Sequence, residues 1–494
     1  MHEAYWERSM YRWIPINNIA DYDELSKVLE YEYAPKYVVD RLKDSISSGV
    51  RAVLVETDYL DKDYRSTYYN YYSKKGRVYR TDCVRLHFFD ELVSFDDGSF
   101  EINSPDGKPQ DHYFGYVVVR PTLLATIGRS LLSPDIRKGA RGHTIQSKHK
   151  VHLLGRDLEV WGFPSMDQHI DISVCAHVAC WSILRHYSER FATHREFLLH
   201  DVTMLAHPFD PGGLVPATGL GIDEAERVFH AAGTFPLVVA KDLVNPSPFY
   251  RQLLAYIESG FPLFIAMDHR LHAVVALGHA WKTNPPKPSV PGPRYAWDQV
   301  DSVVVIDDNK LPYLCISAQG SASAIGQYSA ADFDRFIVPL PEKIFYPADA
   351  VEKYAIRFAS AMSSKIAVPP ADQLIVRYFI TTQSAFRRFV RENRSQFDPV
   401  FIRAVMQQPT PQFIWVVEYT SAQEWAGGKI IARAVLDATA SLRDPLPVWF
   451  FHGRESAIFF DRGTGGGPST ALSLTAMAAP LGRMEQNLRP IRSR

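Results

Sequence analysis

Three segments of this 494-residue chain, in a fixed order, restrict its fold more than any other feature. The first is Val174-Cys175-Ala176-His177-Val178-Ala179-Cys180-Trp181-Ser182-Ile183-Leu184-Arg185-His186, an apolar-patterned run that reads as a helix with a thiol at its start. Next come Leu263-Phe264-Ile265-Ala266-Met267 and His272-Ala273-Val274-Val275-Ala276-Leu277-Gly278, two strand-like runs, the second opened by a histidine. Last is Val303-Val304-Val305-Ile306-Asp307-Asp308-Asn309, a strand that ends in carboxylates. Further helices are expected at 195–206, 223–232 and 248–259, ahead of the strands. Helices first and strands second is the layout of an α+β domain with a helical lobe and a sheet lobe.

The same order places chemistry. A helix N-terminus favours a thiolate through its unpaired N–H groups and its dipole. A histidine can then serve as ion-pair partner and proton shuttle, and a carboxylate can orient the ring. Cys175 is therefore the expected nucleophile, His272 the base and Asp307 the orienting group, with Asp308 as the alternative. Gln168, seven residues before Cys175, is the candidate oxyanion donor. Cys180 and His279 are the competing thiol and imidazole. Cys180 lies well inside the helix, and His279, seven residues along a strand from His272, faces the other side. Cys175, His177 and Cys180 also suggest a metal, but positions i, i+2 and i+5 of a helix do not converge. No metal or organic cofactor is expected.

The middle of the chain resembles the papain-like cysteine peptidases, in particular the C39-like branch. The likeness is carried by Gln168, Cys175, Leu184-Arg185-His186-Tyr187, Gly260-Phe261-Pro262, His272 to Gly278, and Val305-Ile306-Asp307-Asp308. It covers about 163–314. Ala176-His177 stands where that branch has Gly-Pro, Gln168 lies one residue further upstream than usual, and Asp308 replaces a proline. The resemblance implies a two-lobed thiol domain that hydrolyses a peptide or isopeptide bond through a thioester at Cys175. It also admits acyl transfer or deamidation at the same thiol, and an inactive binding module built on the same fold.

The flanks read as separate units: an α+β domain over 1–150, the papain-like domain over 151–346, and a C-terminal α+β domain over 347–494 with a flexible tail from Gly463. Residues 137–150 are basic and read as an exposed loop. The proline-rich stretch 282–294 reads as a stiff connector that cannot enter a sheet interior. Lys+Arg 54 against Asp+Glu 55 leaves a net charge of -1, so no global field draws nucleic acid or an anionic membrane. No stretch approaches the roughly 20 apolar residues of a membrane span. Four cysteines in so long a chain make no disulfide framework, and the opening residues carry acids and no apolar run. A cytoplasmic protein with a protein or peptide substrate, and partner proteins met through its flanks, is the expectation.

Overall fold

The computed structural model describes the chain except for residues 1–9, 30–34, 92–108, 123–126, 169–173, 207–218, 284–291, 321–326, 371, 463–468, 475–480, 486 and 493–494. The prolines between 284 and 291 and the start of the glycine-rich run at 463 lie outside the described residues. The architecture is α+β, built on three large sheets.

The first sheet is made by β1 (Tyr11–Pro15), β2 (Ala52–Tyr59), β3 (Cys83–Phe89), β4 (Tyr113–Val119) and β5 (Ile127–Leu132), followed in space by β8 (Arg156–Ser165) and β7 (Ser147–Leu153). A short strand, β6 (His143–Thr144), leaves it for the second sheet. Sheet membership thus runs past residue 150, where the sequence suggested a boundary. Helices α1 (Asp23–Val28), α2 (Pro35–Ser45) and α3 (Lys62–Asn70) belong to the same part of the chain. The basic segment 137–150 is a loop only in its first part, up to 142; beyond it lie β6 and the start of β7. In β7 buried and exposed positions alternate strictly, so Lys148, Lys150 and His152 face solvent while Ser147, His149 and Val151 pack inward. Period-two placement hides a strand beneath its charges.

The second sheet has the spatial order β14 (Leu314–Ser317), β13 (Val300–Ile306), β11 (His272–Trp281), β10 (Leu263–Met267), β15 (Arg335–Leu340), β9 (Phe235–Ala240). Every pairing is antiparallel. β6 also lies against β11, where Gly278 faces Thr144. A Cβ at Gly278 would collide with the His143 carbonyl oxygen, so only glycine lets the two backbones meet.

The third sheet begins with β12 (Arg294–Tyr295), parallel to β16 (Ile375–Thr382), and continues through β17 (Phe413–Thr420), β19 (Ala432–Asp437), β20 (Val448–His452), β21 (Ser456–Phe460) and β22 (Ser469–Ser473). A small pair, β18 (Lys429–Ile430) with β23 (Leu481–Gly482), stands beside it. β24 (Arg489–Pro490) returns to pair with β6. The described parts of the tail beyond 468 therefore include strands, where flexibility was expected; their backbone groups find ladder partners in three different sheets.

Helix α4 (Cys175–Arg190) sits where the first two sheets meet, against β7, β8, β10 and β11 and the next helices α5 (Leu199–Ala206) and α6 (Ile222–Ala231). Every residue from Ala176 to Tyr187 is buried, the mark of a helix enclosed on all sides. Its polar residues are tied accordingly: the Trp181 indole donates to Asp63 (3.1 Å) and the Tyr187 hydroxyl donates to the Pro339 carbonyl (2.7 Å). His186 stacks on Phe163 and bonds Ser147 Oγ at 3.0 Å. Helices α7 (Ser247–Glu258) and α8 (Ala348–Met362) fill the space between the second and third sheets. A single apolar cluster runs from Ile14 through the middle of the chain to Leu488. Among the described residues no helix is long and apolar enough to cross a membrane.

Candidate active site

Cys175 is the first residue of α4. Val174 before it is extended (φ -110°, ψ -179°), and its N–H donates to His177 Nδ1 at 3.4 Å. His177 is thus a helix cap, its own N–H donating to the Val174 carbonyl at 3.0 Å, and the half-buried Cys175 stands at the N-terminus of α4, the end where backbone N–H groups outnumber acceptors.

His272 opens β11. It follows a one-turn 3-10 helix, Asp268–Arg270, and Leu271, which holds φ 49° and ψ 43° in the left-handed region and is 90% exposed. A leucine there is strained. The turn is pinned by surface charges: Arg335 to Asp268 at 2.8 Å, Arg270 to Asp332 at 3.0 Å, and His269 to both Asp332 and Asp334. Val275 pairs with Ile306, so the end of β13 lies beside the start of β11. Asp307 consequently reaches the imidazole: His272 Nε2 is 3.2 Å from Asp307 Oδ1 and 3.9 Å from Asp308 Oδ1. The hydrogen-bond partner is Asp307.

Burial alone would discharge His272. Hydrogen bonds to Asp307 and to Cys175, with the charges of both, prevail and push the ring up to about 10. One imidazole therefore answers both to the Cys175 thiol and to the Asp307 carboxylate. Asp307 is buried, which by itself raises a carboxyl, yet the His272 bond and charge hold it below the ordinary range, helped by the Asn309 N–H (2.9 Å) and the Tyr328 hydroxyl (2.8 Å). Asp308 moves the other way. Burial raises it, His272 opposes, and the charges of Asp307 and Asp167 add to the rise. Of the two adjacent carboxyls Asp308, pushed up to about 7, takes a proton first as pH falls, and Asp307 keeps its charge.

Tyr328 and Asp167 carry no spacing signal in the sequence. Tyr328 donates to Asp307 and packs edge-on to the His272 ring, with centroids 6.2 Å apart. Asp167 is buried just beyond β8, accepts from the Tyr37 hydroxyl at 2.7 Å, and lies 3.8 Å from Arg41. Tyr37 and Arg41 are on α2, so the first part of the chain backs the acid pair. Gln168 is next in line and half-buried. Its carbonyl lies at 3.5 Å from Arg120 Nη2, and the residues between it and Val174 lie outside the described set.

The competing residues are elsewhere. Cys180 is fully buried, and burial pushes its thiol well up. His279 is buried against Glu258, which also binds Arg377. Arg377 reaches Glu418 at 2.7 Å, and Glu418 holds Arg433 at 2.7 Å. This chain of buried charges joins β11, α7, β16, β17 and β19; it fastens the second sheet to the third.

The ligand atoms of His272, Asp307 and Asp308 lie within 4.8 Å of one another, a spacing open to a divalent cation. A metal needs the neutral imidazole. A ring pushed up to about 10 would have to give up its proton before it could join a metal here. All four cysteines are free thiols. Comparison of the chain with protein-family models, curated proteins and solved structures finds no match.

Proposed function

We propose that this protein is a cysteine peptidase-like hydrolase, with a papain-like two-lobed core, acting on a peptide or isopeptide bond. The observation that carries the reading is the His272 ring bonded to Asp307 while the Cys175 thiol acts on the same ring. The Cys175 sulfur adds to the substrate carbonyl carbon, and the oxyanion that forms faces the first-turn N–H groups of α4, joined in this reading by the Gln168 amide. Collapse breaks the C–N bond, the amine leaves with the proton from His272, and a thioester remains. Water then gives a proton to His272 and its oxygen to the acyl carbon. The C–S bond breaks, the acid departs, and the thiol is restored. Asp307 holds the ring in the orientation both halves need. No cofactor enters the scheme, and the free thiols suit a reducing cytoplasm.

Brief treatment with iodoacetamide near neutral pH, followed by peptide mapping, tests the reading. Cys175 should be alkylated faster than Cys83, Cys180 and Cys315, and His272→Ala should slow it by about a hundredfold, the lower range of general-base effects. Labelling of Cys175 no faster than that of half-buried Cys315, or indifference to His272→Ala, would overturn it.

A further inference from the structure

A second cavity, of about 510 Å³, opens where the residues after β1, the end of α2 and the segment 137–141 meet. None of the proposed catalytic residues lines it. Its floor is apolar, with Ile16, Ile46 and Val50 all buried. Its wall is basic. Arg51, Arg137 and Lys138 line it, and among the described residues none of the three makes an ion pair.

The other two charges at the cavity are already engaged. Arg141 pairs with Asp301 at 2.5 Å, and Asp135 accepts the Arg492 backbone N–H at 2.8 Å. Arg137 is the telling group. Its Nη1 is buried with no hydrogen-bond partner, and burial pushes the guanidinium down from its ordinary range, with Asp44 and Arg41 acting on it in opposite senses. Arg137 as a whole is half-buried, and a shielded donor left unpaired carries a cost that a bound acceptor beside the guanidinium would offset. Guanidinium forks match carboxylate and phosphate oxygens in pairs. The volume is that of a small-molecule site.

We propose that this cavity binds a small amphiphilic anion. Its apolar body lies over Ile16, Ile46 and Val50, and its carboxylate or phosphate head bonds Arg137 between Arg51 and Lys138. The ligand bonds the guanidinium where it lines the cavity and covers greasy surface in one step, which neither a free inorganic ion nor a neutral lipid does.

Isothermal titration of the full chain with decanoate, decyl phosphate and decanol tests this, since the three probes share one tail. At least one anion should bind below about 1 mM, and decanol about tenfold more weakly, the factor expected from one hydrogen bond to a charged group. The tighter anion identifies the head. Arg137→Met should cost about the same factor for the anion and leave decanol unchanged. Lys138→Gln, at an exposed position, should weaken the anion by a smaller step and carries the test should Arg137→Met fail to fold. Binding of neither anion, equal affinity for decanol, or anion affinity unmoved in both variants would overturn the proposal.

Discussion

Replacing Asp307 by asparagine keeps the shape of the candidate site and removes the charge that holds His272 protonated. The ring stands at about 10 against an ordinary 6.5, a gap of roughly 3.5 pH units, or about 5 kcal/mol at 1.36 kcal/mol per unit. That gap is what survives after burial has opposed it, and among the influences that raise it the Asp307 hydrogen bond comes first, ahead of Cys175. One opposite charge at this range moves a pKa by about 1–3 units. His272 in Asp307→Asn should therefore titrate at least about one unit lower, and burial should then pull it further towards neutrality. The assay is an NMR titration of the imidazole carbons, with the resonance assigned by its loss in His272→Gln. Stability supplies a second reading. The folded value lies above the unfolded one, so the charged ring stabilises the fold fully below about pH 6.5 and that contribution is lost as pH rises through about 10. Asp307→Asn should flatten this decline relative to the parent chain. A parent ring that titrates near 6.5, or one that Asp307→Asn leaves in place, would refute the reasoning.

Tyr328→Phe takes the hydroxyl from Asp307 Oδ2; a hydrogen bond to a charged group contributes about 1.5–3 kcal/mol, so Cys175 alkylation should slow about tenfold at unchanged circular dichroism. Glu258→Ala leaves His279 and Arg377 facing each other in a dry interior and should cost about 3–5 kcal/mol, read from the urea midpoint. Leu271→Asn replaces a strained left-handed leucine with a residue that visits that region, and should stabilise the chain by about 1 kcal/mol in a thermal melt; no gain would mean the turn carries no strain.

The residues brought together at His272 were legible because each marks the edge of an element. Cys175 begins a helix after an extended residue, His272 begins a strand after a turn, and Asp307 ends the next strand. Edges leave traces in sequence: a run begins or stops there. The choice between Asp307 and Asp308 was not legible, since strand register and side-chain reach decide it, and these settle only when β13 docks on β11. Tyr328 was hidden for a related reason, as its partner is 21 residues away with no repeat linking them. The strand Ile375–Thr382 escaped notice because Arg377 interrupts an apolar run. The interruption is apparent only, for Arg377 is buried between Glu258, 119 residues earlier, and Glu418. Local pattern reports exposure correctly for lone charges, and fails where a distant opposite charge makes burial tolerable.

The flanks that looked separable from sequence are parts of the site's support. Strand β11, which carries His272 at one end, is covered near its other end by His143–Thr144, and that strand is held in turn by Arg489–Pro490. Helix α4, which presents Cys175, is tied through Trp181 to Asp63. Asp167, whose charge helps raise the Asp308 carboxyl, is bonded by Tyr37. Each tie crosses from the thiol region into residues outside 151–346. Placing a sulfur, a ring and a carboxylate within tenths of an ångström needs side chains that packing has already fixed. Here the fixing groups come from both flanks of the middle region, so the proposed nucleophile depends on the whole fold rather than on the middle third alone.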